Sequence, residues 1–146
     1  MSGGRSIRVQ RAGGSEDIAR ALAIRQAVFV EEQGVPAELE QDGLDGQAQH
    51  FLAYVGPRPA ATARVRRTSL GYKLERVAVE RAYRGRSVGA ALVAHVLEVL
   101  GSEQVVYLHA QRSAVGFWER LGFVARGEPF WEAGIEHLRM TYGGRG

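Results

Sequence analysis

The segment from Val88 to Leu100 constrains the fold most, because its pattern is that of a buried helix placed between two strands. Its thirteen residues are dense in Ala, Val and Leu, and Gly101 ends the pattern. The segments on either side, 73–79 and 105–110, have the length and composition of strands. A helix that connects two strands of one sheet is a crossover, which requires a parallel strand pair. We therefore predict a mixed α/β sheet.

The remaining elements are predicted from apolar spacing and from turn residues. Apolar positions from Ile18 to Phe29 have helical spacing, and the polar loop Gln33–Gln47 has the length of a binding loop. The predicted order is β-α-β-β-β-α-β-α-β-β, in a single domain that covers residues 1–146. The other predicted elements are strands at Ile7–Gln10, 51–55, 61–67 and 73–79, a helix at Ser113–Leu121 and strands from Gly122 and His137. We expect Gly143–Gly146 to fray.

Composition excludes several classes of protein. No apolar run reaches the roughly 18 residues of a membrane span, and the segment Met1–Arg11 has no apolar core of a secretion signal. The chain has no cysteine, which rules out disulfides, thiolate metal sites and a cysteine nucleophile. We therefore expect a cytoplasmic protein with neither a bound metal nor a membrane partner.

The net charge of +3 does not indicate a nucleic-acid partner. Positive residues are spread from Arg5 to Arg145 without a long basic block, and acidic residues are interspersed among them. Lys73 is the single lysine, so arginine supplies nearly all of the positive charge. We expect no binding to nucleic acid.

The loop in front of the long helix has the features of a phosphate site. A glycine-containing loop that opens a helix presents unpaired backbone N–H groups at the positive end of the helix dipole. Gly85 and Gly89 would let a ligand approach the backbone, and Arg84 and Arg86 could contact phosphates. A nucleoside triphosphate or dinucleotide motif is absent. A purely structural turn before a core helix is the alternative.

Here the chain resembles a known family. The residues Arg84-x-x-Ser87-x-Gly89-Ala90 resemble the Arg/Gln-x-x-Gly-x-Gly/Ala signature of GNAT acetyltransferases, with Ser87 in place of the first glycine. Further matches cover nearly the whole chain and resemble the ElaA-type branch: Arg25-x-x-Val28-Phe29-Val30-x-Glu32-Gln33, His50-Phe51, Glu75-Arg76-Val77, Leu108-x-Ala110-Gln111, Phe117-Trp118-x-x-x-Gly122-Phe123 and Gly134-Ile135-x-His137-x-x-Met140.

The resemblance implies a fold and a cofactor. The GNAT fold has a central, mostly antiparallel sheet with one parallel pair that splays apart, flanked by helices. Acetyl-CoA would lie with its pantetheine arm in the gap between the two splayed strands, and a backbone N–H near Val79 would polarise the thioester. The implied cofactor-binding residues are Val77, Ala78, Val79, Arg84, Gly85, Arg86, Ser87, Val88, Gly89, Ala90, Gln111, Ala114, Phe117 and Trp118.

The implied reaction is direct attack of an amine on the thioester, for which a base must remove a proton. Glu75 is the predicted base, and the alternative is that it pairs at the surface with Arg76 or Arg66. Trp118 stands where the family commonly has a tyrosine as general acid, and an indole cannot fill that role. Residues that could donate a proton instead, if they are not structural, are His109, Tyr107 and His137.

The acceptor pocket is expected between the first helix and the acidic loop. Arg25, Phe29 and Glu32 would form its wall with residues 38–45, whose negative charge suits a cationic amine of a small molecule or peptide. Arg25 could instead lie at the edge of the core. Two other functions stay open, a module that binds acyl-CoA without turnover and an unrelated nucleotide- or RNA-binding domain. The oligomeric state stays open between a monomer and a homodimer.

Overall fold

The computed structural model describes residues 6–143, whose elements follow the predicted order with one additional short helix. Fraying was predicted for Gly143–Gly146, and residues 144–146 lie outside the described part of the chain. The N–H of Gly143 donates to the Gly122 carbonyl oxygen (2.7 Å). The strands are β1 (Ile7–Arg11), β2 (Gln49–Val55), β3 (Arg58–Thr68), β4 (Gly71–Val79), β5 (Val106–Gln111), β6 (Phe123–Glu132) and β7 (Ile135–Tyr142). The helices are α1 (Ser15–Arg25), α2 (Ala37–Glu40), α3 (Val88–Leu100) and α4 (Val115–Arg120).

All of these strands form one sheet, in the order β1-β2-β3-β4-β5-β7-β6. Neighbouring strands are antiparallel except β4 and β5, which are parallel. Helix α3 makes the crossover between those two strands, as the apolar segment predicted. The mixed sheet with one parallel pair is therefore confirmed.

Helices cover both faces of the sheet. Successive strand residues point to opposite sides, and apolar residues on both sides of β2 are buried against a helix. Phe51 packs in the cluster that contains Leu92 of α3, whereas its neighbour Leu52 packs with Ala21 and Ile24 of α1. All five side chains are buried. Each large apolar side chain contributes about 1.5–3 kcal/mol through burial, so these two layers hold the sheet between them.

Strands β4 and β5 separate after a short stretch of pairing. Their parallel register covers only Tyr72 with Val106 and Lys73 with Tyr107. On its other side, β4 has a bulge, where Arg76 adopts a left-handed conformation with φ 53°. One extra residue in a strand bends it locally and increases its twist. The bulge therefore accompanies a gap between β4 and β5, as the resemblance implied.

The segment between β1 and β2 is more ordered than its sequence indicated. The predicted first helix is α-helical only to Arg25, and it continues as a π-helical turn at Gln26–Glu32. The predicted loop Gln33–Gln47 contains α2 and a 3₁₀ turn at Asp45–Gln47. No helix within residues 6–143 is long and apolar enough to cross a bilayer.

Candidate active site

A cleft with a volume of about 560 Å³ opens between β4 and β5, beyond the point where their pairing ends. Both strands line it, together with α4, the β6–β7 turn and the segment that follows α1. The cleft brings together eight residues that were singled out individually from the sequence, namely Phe29, Glu75, Val77, His109, Gln111, Ala114, Trp118 and His137. Arg25, Glu32 and the loop 84–90 are not part of its lining.

The loop that precedes α3 directs several N–H groups away from the helix. The first helical hydrogen bond joins the Ala91 N–H to the Ser87 carbonyl oxygen (3.0 Å), so the N–H groups of residues 88–90 have no acceptor in their own helix. Gly85 and Ser87 both have left-handed backbones, with φ 76° and 64°. This geometry fits a bound pyrophosphate. It also explains why the family signature has glycine at the position of Ser87.

Arg84 and Glu32 form an ion pair that joins the loop to the first helical layer. Two guanidinium nitrogens donate to the two carboxylate oxygens (2.6 and 2.7 Å), and Nε donates to the Val79 carbonyl oxygen (2.9 Å). The carboxylate raises the pKa of Arg84, and the guanidinium lowers the pKa of Glu32. The structure therefore places a predicted cofactor residue against a predicted substrate residue. The guanidinium of Arg86 lies 5.8 Å from the centre of the Tyr83 ring.

Aromatic side chains of α4 form one wall beside the loop. The ring of Phe117 lies 3.5 Å from where a Cβ on Gly89 would stand, so the start of α3 packs closely on α4. Trp118 lines the cleft, although it is only 8% exposed, and its ring makes edge contacts with Phe117 and Phe123. The indole is thus held as part of the wall.

Glu75 is surrounded by cations. Arg64 donates to its carboxylate through Nε (2.8 Å), Arg66 donates through Nε (2.5 Å), and Lys73 Nζ lies 3.6 Å away. Burial raises the pKa of Glu75, but the hydrogen bonds and charges of Arg66 and Arg64 outweigh burial and lower it overall. The alternative prediction that Glu75 pairs with Arg66 is therefore present in the geometry, but the carboxylate is only 10% exposed and does not lie at the surface. Arg76 turns instead to Glu40 and Asp42 (3.1 and 3.2 Å).

His109 lies on the cleft side of β5, next to a carboxylate that sequence reasoning did not identify. Its Nδ1 lies 3.1 Å from Oε2 of Glu132, and Nε2 of His137 lies 3.7 Å from the other oxygen of that carboxylate. Burial lowers the pKa of His109, and the positive charge of Lys73 lowers it further. Glu132 precedes a turn in an exposed hairpin, and no pattern in the sequence around it marks a site.

Arg25 lies in the interior and does not reach the cleft. It is 1% exposed, and it donates to Glu40 (2.7 Å) and to Asp45 (2.7 Å). The guanidinium of Arg25 is thus hydrogen-bonded to two carboxylates of the loop 33–47, which was predicted to form part of the acceptor pocket. Neither expectation for Arg25, an edge position or a substrate contact, fits this placement, because the loop folds back over the arginine and buries it. Phe29 does line the cleft.

Comparisons of the sequence identify the family. A family model for the acetyltransferase (GNAT) domain matches residues 11–143. A Bacillus subtilis protein that is named as an acetyltransferase is 40% identical over 141 residues, 92% of this chain and 95% of that protein. Escherichia coli ElaA is 33% identical over 127 residues, 82% of this chain and 83% of its own.

Solved structures have the same fold. The crystal structure of Escherichia coli ElaA superposes with a TM-score of 0.79 at 30% identity, covering 93% of this chain and 99% of that one. An acyl-CoA N-acyltransferase from Pseudomonas aeruginosa has a TM-score of 0.79 at 28% identity and covers 94% and 98%. An aminoglycoside 6'-N-acetyltransferase shares the fold alone, with a TM-score of 0.72 at 13% identity over 93% and 95%. The chain described here belongs to the GNAT acetyltransferase family.

Proposed function

We propose that the protein transfers an acetyl group from acetyl-CoA to the amine of a small molecule or peptide, and that it acts in the cytoplasm. The observation that carries this proposal is the arrangement of the site along β4. The gap between β4 and β5 opens into a cleft lined by ionisable side chains, and the loop with unused N–H groups follows the end of β4 and packs against it. An extended cofactor with a diphosphate at one end and a reactive group at the other matches this arrangement.

The loop and the two strands would hold acetyl-CoA, which supplies the acetyl group as a thioester. The N–H groups of Val88, Gly89 and Ala90 face no helical acceptor and can donate to phosphate oxygens. Arg86 adds positive charge without a carboxylate partner among residues 6–143. The aminoglycoside 6'-N-acetyltransferase with the same fold was crystallised with coenzyme A, which supports this choice of cofactor.

Other residues that line the cleft would bind the acceptor. Phe29, Val35 and Leu39 offer apolar surface, and Glu132 offers a carboxylate that is 46% exposed in its side chain. A cationic amine attached to an apolar body would complement these groups. The volume of about 560 Å³ accommodates a small molecule or the end of a peptide.

Trp118 leaves the family's usual position for a general acid without a proton donor. The missing acid raises the barrier only modestly. A thiol with a pKa of about 8.5 can leave as a thiolate at pH 7 at a free-energy cost of roughly 2 kcal/mol relative to the protonated thiol. The reaction can therefore proceed by direct attack without an acid at this position.

Titration of the protein with coenzyme A tests cofactor binding by calorimetry. We expect a dissociation constant in the micromolar range, weakened several-fold at low salt by Arg86→Ala, because one positive charge beside the phosphates is lost. Arg58→Ala is the matched control, since it removes the same charge from the start of β3. A dissociation constant of about 1 mM or weaker for the wild type would refute the proposal.

A panel of amines and peptides, followed by release of the CoA thiol, tests transfer. We expect one class of amine to accelerate thiol release well above hydrolysis in its absence. The alternative function is a module that senses acyl-CoA, and the buried indole of Trp118 favours it. Tight binding of coenzyme A without thiol release on any amine would support that alternative.

A further inference from the structure

The proposed transfer needs a group that takes a proton from the attacking amine, and Glu75 is poorly suited to this task. Its carboxylate is 10% exposed, and it is hydrogen-bonded by Arg64 and Arg66, with Lys73 nearby. Cations stabilise the ionised carboxylate, and the pKa of Glu75 is accordingly lowered. A base that is so strongly stabilised as an anion has little tendency to bind a proton at neutral pH.

His109 has the geometry of a base that is already oriented. Its Nδ1 lies 3.1 Å from the Glu132 carboxylate, an acceptor, so the neutral ring carries its proton on Nδ1 and keeps a lone pair on Nε2. No atom of residues 6–143 hydrogen-bonds to Nε2. Within the same residues, Nδ1 of His50 is the only buried side-chain nitrogen or oxygen without a partner, so Nε2 of His109 reaches solvent.

The ring is held in this position from several sides. Phe130 makes an edge contact with it at 4.9 Å between ring centres, and Tyr107 approaches it from the same strand at 5.9 Å. Glu132 also lies 3.7 Å from His137, whose own Nδ1 lies 2.8 Å from the Ile135 carbonyl oxygen. A base whose rotamer is locked by its neighbours needs little reorganisation to accept a proton.

Charged and titratable groups on each neighbouring strand act on His109. Lys73 of β4 and His137 of β7 oppose a positive charge on the ring, whereas Glu132 of β6 favours it. Arg139 of β7 is its direct register partner and Tyr107 lies on its own strand. Burial is the largest influence and lowers the pKa of His109, so the imidazole is neutral at pH 7 and able to accept a proton.

We infer that His109, oriented by Glu132, is the proton acceptor for the attacking amine, and that Glu75 is a structural residue. This inference rests on the proposed acetyl transfer. The amine nitrogen forms the amide bond, the carbon–sulfur bond breaks, and its electron pair stays on sulfur. An ammonium substrate loses two protons in total. One proton protonates the sulfur through solvent, and the other passes to Nε2 and then to water, while Glu132 stabilises the imidazolium.

The first experiment compares pH–rate profiles of kcat/KM. In the wild type, kcat/KM should fall at acidic pH as His109 becomes protonated. His109→Gln should lower kcat/KM about 100-fold or more and abolish this fall, with unchanged affinity for coenzyme A. Glu75→Gln should keep the fall even where its maximal rate is lower. His95→Gln, on α3, is the matched control and should leave the profile unchanged.

The second experiment does not need turnover. NMR of the imidazole nitrogens at pH 7.5, with His109→Gln assigning the signals, should show a neutral ring protonated on Nδ1. Glu132→Gln should lower the pKa of His109 further, and Lys73→Gln should raise it, since these two charges act in opposite directions. Glu132 is a positioning residue, so Glu132→Gln should also reduce kcat more than KM.

Two results would overturn the inference. One is a His109→Gln protein that keeps the rate and the acidic fall, or a Glu75→Gln protein that loses that fall. The other is a wild-type ring that is protonated on Nε2, or already charged at pH 7.5. If the proposed function itself fails, coenzyme A does not bind and no amine releases thiol, whereas the NMR result on His109 is read independently.

Discussion

Ser87 has a backbone conformation that favours glycine. Its φ of 64° and ψ of 17° lie in the left-handed region, where a Cβ crowds the neighbouring carbonyl oxygen at a cost of about 1–2 kcal/mol. The chain needs this conformation because the loop turns here into α3 and directs the first N–H groups outwards. The serine therefore costs stability but keeps the N–H that a phosphate would use.

Ser87→Gly should stabilise the protein by about 1 kcal/mol and raise Tm by about 2–4 °C, because glycine adopts the left-handed conformation without strain. Thermal unfolding followed by circular dichroism measures the change. Ser87→Ala keeps the Cβ, so it serves as the control and should bring no gain. An equal gain from both variants would show that loss of the hydroxyl, and not relief of backbone strain, is responsible.

The sequence allowed individual site residues to be named more readily than the side chains with which they form hydrogen bonds and ion pairs. Ser87 stands out in the sequence within the glycine-containing loop, and Glu75 and His109 stand out as titratable residues on the two strands that flank the crossover helix. Glu132 does not stand out, since it lies 23 residues from His109 and reaches it only through the pairing of β5, β7 and β6. Of the cations around Glu75, Arg66 was named from the sequence, but Arg64 was not, because it meets Glu75 only through the register of β3 with β4.

At the scale of elements, the start of β4 sets where the parallel pair begins. Gly71 has φ 134°, and a Cβ on it would stand 2.3 Å from the carbonyl oxygen of Val105. The same carbonyl accepts the Tyr72 N–H at 2.8 Å, so neither backbone can move away without losing the bond. This contact anchors the closed end of the gap between β4 and β5.

Gly71→Ala should therefore destabilise the protein by about 3 kcal/mol or more, since it combines a backbone clash with an unfavourable φ. Urea unfolding provides the measurement. Gly46→Ala is the matched control, because that glycine has an ordinary φ and open space around its Cα. A Gly71→Ala protein within about 0.5 kcal/mol of the wild type would contradict this account of the strand junction.

The segment between α1 and β2 depends on the buried pair of Arg25 and Glu40. Arg25→Met should lower the free energy of unfolding by about 2–3 kcal/mol, because Glu40 and Asp45 each lose one of two cationic partners and Glu40 is buried. Arg20→Met is the control on the same helix, where the arginine pairs at the surface with Asp17, and it should cost less than about 1 kcal/mol. If urea unfolding showed a similar loss of unfolding free energy in both variants, the buried position of the Arg25 ion pairs would not explain their contribution to stability.

Long apolar elements could be predicted closely, and short ones could not. The bounds of α3 agree with the sequence pattern because thirteen apolar-rich residues end at a glycine. Helix α2 has four residues and no periodic pattern of its own, and it is held by the ion pairs of Glu40 with Arg25 and Arg76. Such tertiary contacts have no signal in a local window of sequence.

At the scale of the whole molecule, one network of charges joins the loop to the sheet. Arg64 is 1% exposed and donates to Asp42 (2.7 Å), Asp45 (3.0 Å) and Glu75 (2.8 Å). The hydrogen bond from Arg64 lowers the pKa of Asp42. For Asp45 and Glu75, burial raises the pKa, but hydrogen bonds from arginines outweigh burial, so both pKa values are lowered as well. The network thus links stability to pH.

A lowered pKa means that the unfolded chain binds protons before the folded protein does as the pH falls. The stabilisation from Asp42, Asp45 and Glu75 is therefore complete above about pH 5, and it is lost as the pH falls through the ordinary carboxyl range towards the lowered values. We expect the free energy of unfolding to decline steadily from pH 5 to pH 3 in urea titrations.

Asp42→Asn tests the share of one carboxylate in this decline. The amide cannot titrate, so the slope between pH 4.5 and pH 3 should become shallower by up to about 1.4 kcal/mol per pH unit, the limit for one proton. Above pH 6, Asp42 is ionised in both the folded and the unfolded chain. Asp42→Asn should therefore be less stable than the wild type by an amount that does not change with pH, and this constant difference is the internal control. Equal slopes below pH 4 in the two proteins would mean that Arg64 does not hold Asp42 in its ionised form.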